Sequence, residues 1–255
     1  MFGVNIFIHA VMMVFNNLGA ALRISAVLMA VQLVLMLALG TGFLITGEDM
    51  SERMMRGEYP FFGAFLTFLA IVVISLWIAV AWHRFILNEE APTGPVPAFN
   101  AGAIWSYFVA GVIFVLILIV VAIPFMILVG MLTAPMMMSG REPGLIMLML
   151  FGLLVYLPLA YIGYRISPIL PSAALQARMP LKEAWYATGT SGASFIVLTV
   201  VSVVAGMILN APAGWLPGIL GVIWGFLSNW VTVLVGASIL TTIYGHYVQG
   251  RPLNV

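Results

Sequence analysis

The chain contains no cysteine. This excludes a disulfide frame, a thiol nucleophile and a thiolate metal site, and it leaves the redox compartment open. Charge is nearly as scarce. Nine Lys and Arg stand against eight Asp and Glu, 7% of 255 residues, where a soluble domain carries about 25%. A water-soluble chain of this length needs far more polar surface than that. The net charge of +1 gives no long-range field, and no basic stripe is present, so nucleic acid is not an expected partner.

The sequence is equally poor in catalytic signatures. It has no G-x-S-x-G elbow, no P-loop and no G-x-G-x-x-G turn. Its three histidines, His9, His83 and His246, stand apart from any H-E-x-x-H spacing. The N-terminal stretch lacks the basic region and small-residue cleavage site of a signal peptide, so it is expected to be retained. Neither a metal nor another cofactor is expected, and the chain is not expected to be an enzyme. The methionine pairs and runs at 12–13, 54–55 and 136–138 suit packing or lipid contact better than a copper site.

What the chain does have is apolar length. Hydrophobic residues make up 64% of it, and a spanning helix needs about 20 mostly apolar residues. Six stretches meet that need, at about 24–45, 61–82, 102–129, 144–164, 191–210 and 217–247. The fold class is therefore all-α, a single polytopic membrane bundle of six transmembrane helices with short interfacial helices. Pro124 and Pro158 are expected to kink their spans. Residues 130–140 read as an apolar exit from the third span. The segment 211–218 reads as a turn broken by Pro212 and Pro217. Residues 91–100 read as a proline-rich cytoplasmic linker, expected to be a stiff connection, with partner binding as the alternative.

Six spans put both termini on one side. That side carries Arg23, Arg84, Arg165, Arg178, Lys182 and Arg251, against Arg53, Arg56 and Arg141 on the other. Basic residues accumulate in cytoplasmic loops, so both termini are expected in the cytoplasm.

The stretch YRISPILPSAALQARMPLKEAWYATGT, 164–190, interrupts the apolar pattern with three basic residues, three prolines and a tryptophan. It is the connection between the fourth and fifth spans. Pro168 and Pro171 should stop a continuous helix, while Pro180 suits the first turn of a new one. Leu181, Ala184, Trp185 and Thr188 then share a stripe, which predicts an interfacial helix lying on the membrane. A docking surface for a cytosolic partner is the functional alternative. A second interfacial helix is predicted over 1–20, with Val4, Ile8, Val11, Phe15 and Leu18 as its apolar row.

The even-numbered spans end alike, in VAWHRF, YIGYRI and IYGHYV, and Arg84, Arg165 and His246 follow one another at equal intervals of 81 residues. Three hairpins would produce this spacing, and internal repeats recur in membrane folds. Aromatic and basic residues also collect at any cytoplasmic span end. Arg84, Arg165, Lys182, Trp185 and His246 are thus the candidate cytoplasmic-face interface. With a true repeat, His83 and His246 could share a site with Glu89 or Glu90, although interfacial anchoring is the expected role of these histidines. Gly214, Gly218, Gly221 and Gly225 repeat at i+4 within two pairs, a spacing that lets helices approach closely, inside the bundle or between two copies.

The amphipathic N-terminus leading into ALRISAVL, the arginine ending the second span and the motif LKEAWYATGTSGASF entering the fifth together resemble a broad group of uncharacterised bacterial six-span inner-membrane proteins. The membrane domain attached to some glycerophosphoryl diester phosphodiesterases is similar. The resemblance implies a bacterial inner-membrane location and no particular activity. All Asp, Glu, Lys and Arg residues fall in expected loops or at span ends, which disfavours an ion or proton path. The expected role is a non-enzymatic accessory or scaffold component that contacts the lipid bilayer and another membrane protein or a second copy of itself. The alternative is a channel or carrier for a neutral or lipid-like molecule, with Gln32, Ser106, Asn229 and Thr232 lining its path.

Overall fold

The computed structural model describes residues 2–41, 50–190 and 192–253. Among these residues the chain is all-helical. Ten helices follow one another: α1 (Phe2–Asn16), α2 (Leu18–Ala38), α3 (Met50–Met55), α4 (Phe61–Asn88), α5 (Ala101–Met138), α6 (Leu145–Ile166), α7 (Ile169–Ala174), α8 (Leu181–Ala187), α9 (Gly192–Trp215) and α10 (Ile219–Tyr247). Six of them, α2, α4, α5, α6, α9 and α10, are long and apolar enough to cross a membrane. The last part of the expected first span, 42–45, lies outside the described residues.

Several boundaries move from their sequence-based positions, each for a local reason. The first span begins at Leu18, because Asn17 alone separates it from α1. The Asn17 N–H donates to the Val14 carbonyl, its side-chain Nδ2 donates to the Met13 carbonyl, and its own carbonyl accepts from Ala21. This places Arg23 inside α2, with its side chain exposed. The second span runs on past Trp82 to Asn88, since the polar residues beyond Trp82 find partners within the protein. The third continues through Pro124 and Pro135 to Met138, so 130–138 is helix rather than exit. At 1.5 Å per residue its 38 residues extend about 57 Å, well beyond the ~30 Å bilayer core. The fifth passes Pro212 and ends at Trp215. The turn before α10 is made at Gly218, whose positive φ of 55° suits a residue without a side chain. As expected, no continuous helix runs through Pro168 and Pro171: α6 ends at Ile166 and a separate short helix, α7, begins at Ile169. Pro168 caps α7 and Pro171 sits in its first turn, where a missing N–H costs nothing.

Burial is concentrated at the end of the bundle that carries Phe2 and Leu253, here termed the closed end. One cluster joins α1, α2, α4, α9 and α10 through Ile6, Ile24, Trp82, Phe195, Leu234 and Ile243. A second joins α4, α5, α7 and α8 through Val80, Tyr107, Ile169, Leu170 and Ala184. Away from this end, the most apolar stretches of α5 and α6 contain no buried residue. Apolar exposure of that kind is what a lipid-facing surface requires.

α1 is packed against α9 and α10. Its buried row is Gly3, Ile6, Ala10 and Val14, offset from the apolar row read in the sequence, of which Ile8, Phe15 and Leu18 face outward. The sequence row failed because α1 is apolar nearly all round, and the glycine and alanine decide which side can approach a neighbour. A Cβ on Gly3 would meet the Ser194 carbonyl oxygen and come within 2.8 Å of the Leu198 nitrogen. Of the four glycines of the sixth-span rows, only Gly221 marks a close approach, to the Leu216 and Ala213 carbonyls at 2.6 and 3.0 Å. Gly214, Gly218 and Gly225 have open space around them.

Candidate functional site: guanidinium staples and a pocket at the closed end

The five sequence-predicted interface residues all lie at the closed end, but they form three local arrangements instead of one site. Arg165 and Trp185 meet directly. Arg165 leaves α6 one residue before its end and is buried. Its Nε donates to Thr188 Oγ1 at 3.1 Å, Nη1 to the Tyr161 hydroxyl at 3.2 Å and Nη2 to the Trp185 carbonyl at 2.6 Å. Its Cζ sits 4.1 Å from the centre of the Trp185 ring. Thr188, also buried, donates in turn toward the Arg165 and Ala184 carbonyls at 2.9 Å. Among the described residues no carboxylate forms an ion pair with Arg165. Carbonyl dipoles and the π-face replace a counter-ion, an arrangement suited to the planar, weakly hydrated guanidinium. The result fastens α8 onto the end of α6.

Arg84 makes the second arrangement. Residue Glu89 adopts the left-handed conformation (φ 58°) that ends α4, and the chain reverses so that Glu90 returns to Arg84. The guanidinium donates Nε to Glu90 Oε2 at 2.8 Å and Nη2 to Oε1 at 2.7 Å, while Nη1 reaches the Ala174 carbonyl at the end of α7. Burial alone would raise the Glu90 pKa. The hydrogen bond from Arg84, that from Asn88 and the Arg84 charge outweigh it and hold the carboxyl below its ordinary value.

His246 belongs to the third. Its Nδ1 lies 2.9 Å from the Arg251 carbonyl, and its ring packs 5.2 Å from that of Phe2. Arg251 itself donates to the Ile86 and Leu87 carbonyls at 3.0 and 2.8 Å, so the last described residues are tied to the end of α4. Lys182 stays on the outer side of α8, its Nζ 5.9 Å from the Tyr186 ring.

The two other histidine expectations are corrected. His83 is no interfacial anchor; it is completely buried, with Nδ1 2.8 Å from Thr241 Oγ1 and Nε2 3.2 Å from the Tyr107 hydroxyl. Nor do His83 and His246 converge with Glu89 or Glu90. One ring is held in the core between α4, α5 and α10, the other at the surface against 251, and Glu90 is committed to Arg84. The sequence reading missed Thr241 and Tyr107, because a polar residue inside an apolar run shows no partner until the helices are paired. The supposed carrier lining does not assemble either. Asn229 and Thr232 are exposed on α10, and Thr232 donates back to the Ser228 carbonyl. Ser106 lines a cavity between helices.

That cavity, of about 690 Å³, lies between α5, α7 and the 175–181 segment. Trp105, Val109 and Ile113 form its apolar wall on α5, while Ser106, Ser172, Gln176 and Arg178 are polar residues of its lining. Gln176 has a left-handed backbone (φ 58°) and ends α7: its N–H donates to the Ala173 carbonyl and that of Ala177 to the Ser172 carbonyl. Its side-chain nitrogen lies over Gly102, 2.8 Å from where a Cβ would stand. A second, smaller cavity of about 240 Å³ lies beside His9, Thr241, Thr242, His246 and Arg251.

The fold defines a multi-pass helical membrane protein, and the arginine arrangements described above lie at its closed end. Compared with protein-family models, with curated proteins and with solved structures, the chain matches none.

Proposed function

We propose that this chain is a non-enzymatic accessory component of the bacterial inner membrane, with its closed end in the cytoplasm, where it presents a fixed platform to another membrane protein or to a second copy of itself. The observation that carries this reading is the use made of the closed-end arginines. Arg84, Arg165 and Arg251 are all turned onto backbone carbonyls at helix ends. Their charges are spent on holding α7, α8 and the 248–253 segment against the spans, so the surface helices are set in one orientation. What α8 leaves outside is Leu181, Lys182, Glu183, Trp185 and Tyr186, with Tyr186 69% exposed, and aromatic residues such as Trp185 and Tyr186 are enriched in recognition surfaces. The excess of basic residues at this end supports its cytoplasmic placement, and the resemblance to bacterial six-span inner-membrane proteins supports the location.

The test is extraction of the tagged protein from its own membrane in lipid nanoparticles, followed by mass spectrometry of what co-purifies. A stoichiometric protein partner, lost from a Lys182→Glu, Tyr186→Ala variant that still folds, is the expected result. Recovery of a single enriched small molecule and no protein would overturn the accessory reading in favour of a carrier.

A further inference from the structure

The 690 Å³ cavity is graded in polarity along the direction of the spans. Its polar rim carries Gln176 and Arg178 on the segment leaving α7, and Ser106 in the second turn of α5. Its wall continues down α5 through Val109 to Ile113. From Trp105 to Ile113 the helix rises about 12 Å at 1.5 Å per residue, enough to pass from the headgroup level into the acyl region. Trp105 is 65% exposed at the rim, and an outward tryptophan at a span end favours the headgroup level.

Charge identifies the ligand further. Arg178 is exposed and, among the described residues, has neither an ion pair nor a hydrogen-bond partner. It thus differs from Arg84, Arg165 and Arg251, which are all engaged. Among the described residues, no Asp or Glu lines the cavity, so its electrostatics favour an anion. Gln176 adds an exposed amide, its nitrogen beside Gly102, on a backbone held by the end of α7. A cation and an amide above an apolar wall are complementary to a phosphate esterified to a glycerol bearing acyl chains. The volume falls within the ~300–1,000 Å³ usual for a small-molecule pocket, so it accommodates the headgroup and the upper part of a chain while the remainder lies against the apolar outer face of α5.

We propose that this cavity is a binding site for one anionic glycerophospholipid, its phosphate at Arg178 and Gln176 and one acyl chain along Val109 and Ile113.

The experiment is native mass spectrometry of the full chain in detergent, titrated with dioleoyl phosphatidylglycerol or with dioleoyl phosphatidylcholine. The wild type should retain one phosphatidylglycerol saturably and prefer it to phosphatidylcholine. Arg178→Gln should weaken phosphatidylglycerol binding about five- to tenfold, the effect of one arginine near an anionic headgroup, and bring it to the phosphatidylcholine level. Ile113→Trp, on the exposed part of the wall, should weaken both lipids. Arg141→Gln, at the opposite end of the spans, should change neither. Equal retention by Arg178→Gln and Arg141→Gln would overturn the site, as would unsaturable uptake that none of the variants alters. Displacement of the lipid by millimolar sn-glycerol 1-phosphate would overturn the lipid assignment in favour of a soluble phosphate ester.

Discussion

The guanidinium of Arg165 stacks on the Trp185 ring, 4.1 Å from Cζ to ring centre, and also donates to the carbonyl of that same residue at 2.6 Å. One side chain therefore grips both the backbone and the ring of a residue 20 positions away, across a proline-rich connection. Arg165→Lys keeps the charge but loses the planar fork, and it cannot reach Thr188, Tyr161 and the Trp185 carbonyl together. It should destabilise the protein by about 1–3 kcal/mol, read as a lowered melting temperature in detergent. Trp185→Leu should cost less, since the carbonyl contact survives and only the stack and ring packing are lost. Equal melting of Arg165→Lys and the wild type would refute the role assigned to the staple.

Gly3 should be the least replaceable glycine of the closed end. Ala is the better helix former by about 1 kcal/mol, so Gly111→Ala, in open space on α5, should be neutral or stabilising. Gly3→Ala reverses the sign. Its Cβ would press on the Ser194 carbonyl and the Leu198 nitrogen, both backbone atoms of α9 that no rotamer change can move aside. A loss of about 1–3 kcal/mol is expected, together with earlier proteolysis of α1 than of the spans. If α1 is cleaved no faster in Gly3→Ala than in Gly111→Ala, the close packing of α1 on α9 is not what holds it.

The spans were legible because apolar length is a property of single stretches: α4, α6 and α10 begin or end within a few residues of their sequence positions, and the closed-end cluster of Arg165 and Trp185 was visible as an interruption of the hydropathy. Two of the missed boundaries, the ends of α5 and α9, share a cause: proline ends a helix only where its lost hydrogen bond or its ring has no accommodation, and Pro135 and Pro212 both lie within helices here. The face of α1 was misread because hydropathy ranks Ile8 and Phe15 above Gly3 and Ala10, whereas close helix approach selects the small residues. The partners of His83 were invisible for a different reason. Thr241 and Tyr107 lie 158 and 24 residues away, and no spacing rule connects helices that pair only in the fold.

His83 should be chemically silent. Its two ring nitrogens are occupied by Thr241 and Tyr107, and the side chain is fully buried. Diethyl pyrocarbonate should modify the partly exposed His9 and His246 in the folded protein and reach His83 only after denaturation, as peptide mapping would show. His83→Leu removes both partners' contacts while leaving two hydroxyls in the core. The Thr241 hydroxyl keeps its bond to the Ala237 carbonyl, so most of the cost falls on Tyr107, about 1–3 kcal/mol for an unsatisfied buried group. The double variant His83→Leu, Tyr107→Phe should recover part of that loss. Modification of His83 as fast as His246 would contradict the buried placement.

Glu90 should give the closed end a small acid sensitivity. Burial raises its pKa, but the hydrogen bonds from Arg84 and Asn88 and the charge of Arg84 lower it by more, so the net folded value lies below the unfolded one. A depressed carboxyl contributes its stability in full above the unfolded pKa of about 4.3, and that contribution disappears as pH falls through the lower folded value. The side chain of Glu90 is 46% exposed, so solvent screening keeps the effect under about 1 kcal/mol despite the bidentate geometry. Comparing Glu90→Gln with the wild type isolates this group from the other carboxylates. At pH 7 the variant should melt slightly lower, the gap should close as pH falls below about 4, and 1 M salt should shrink it at neutral pH. A gap that widened on acidification would mean that Glu90 is raised, not lowered, in the folded protein, and that the Arg84 contact does not form in solution.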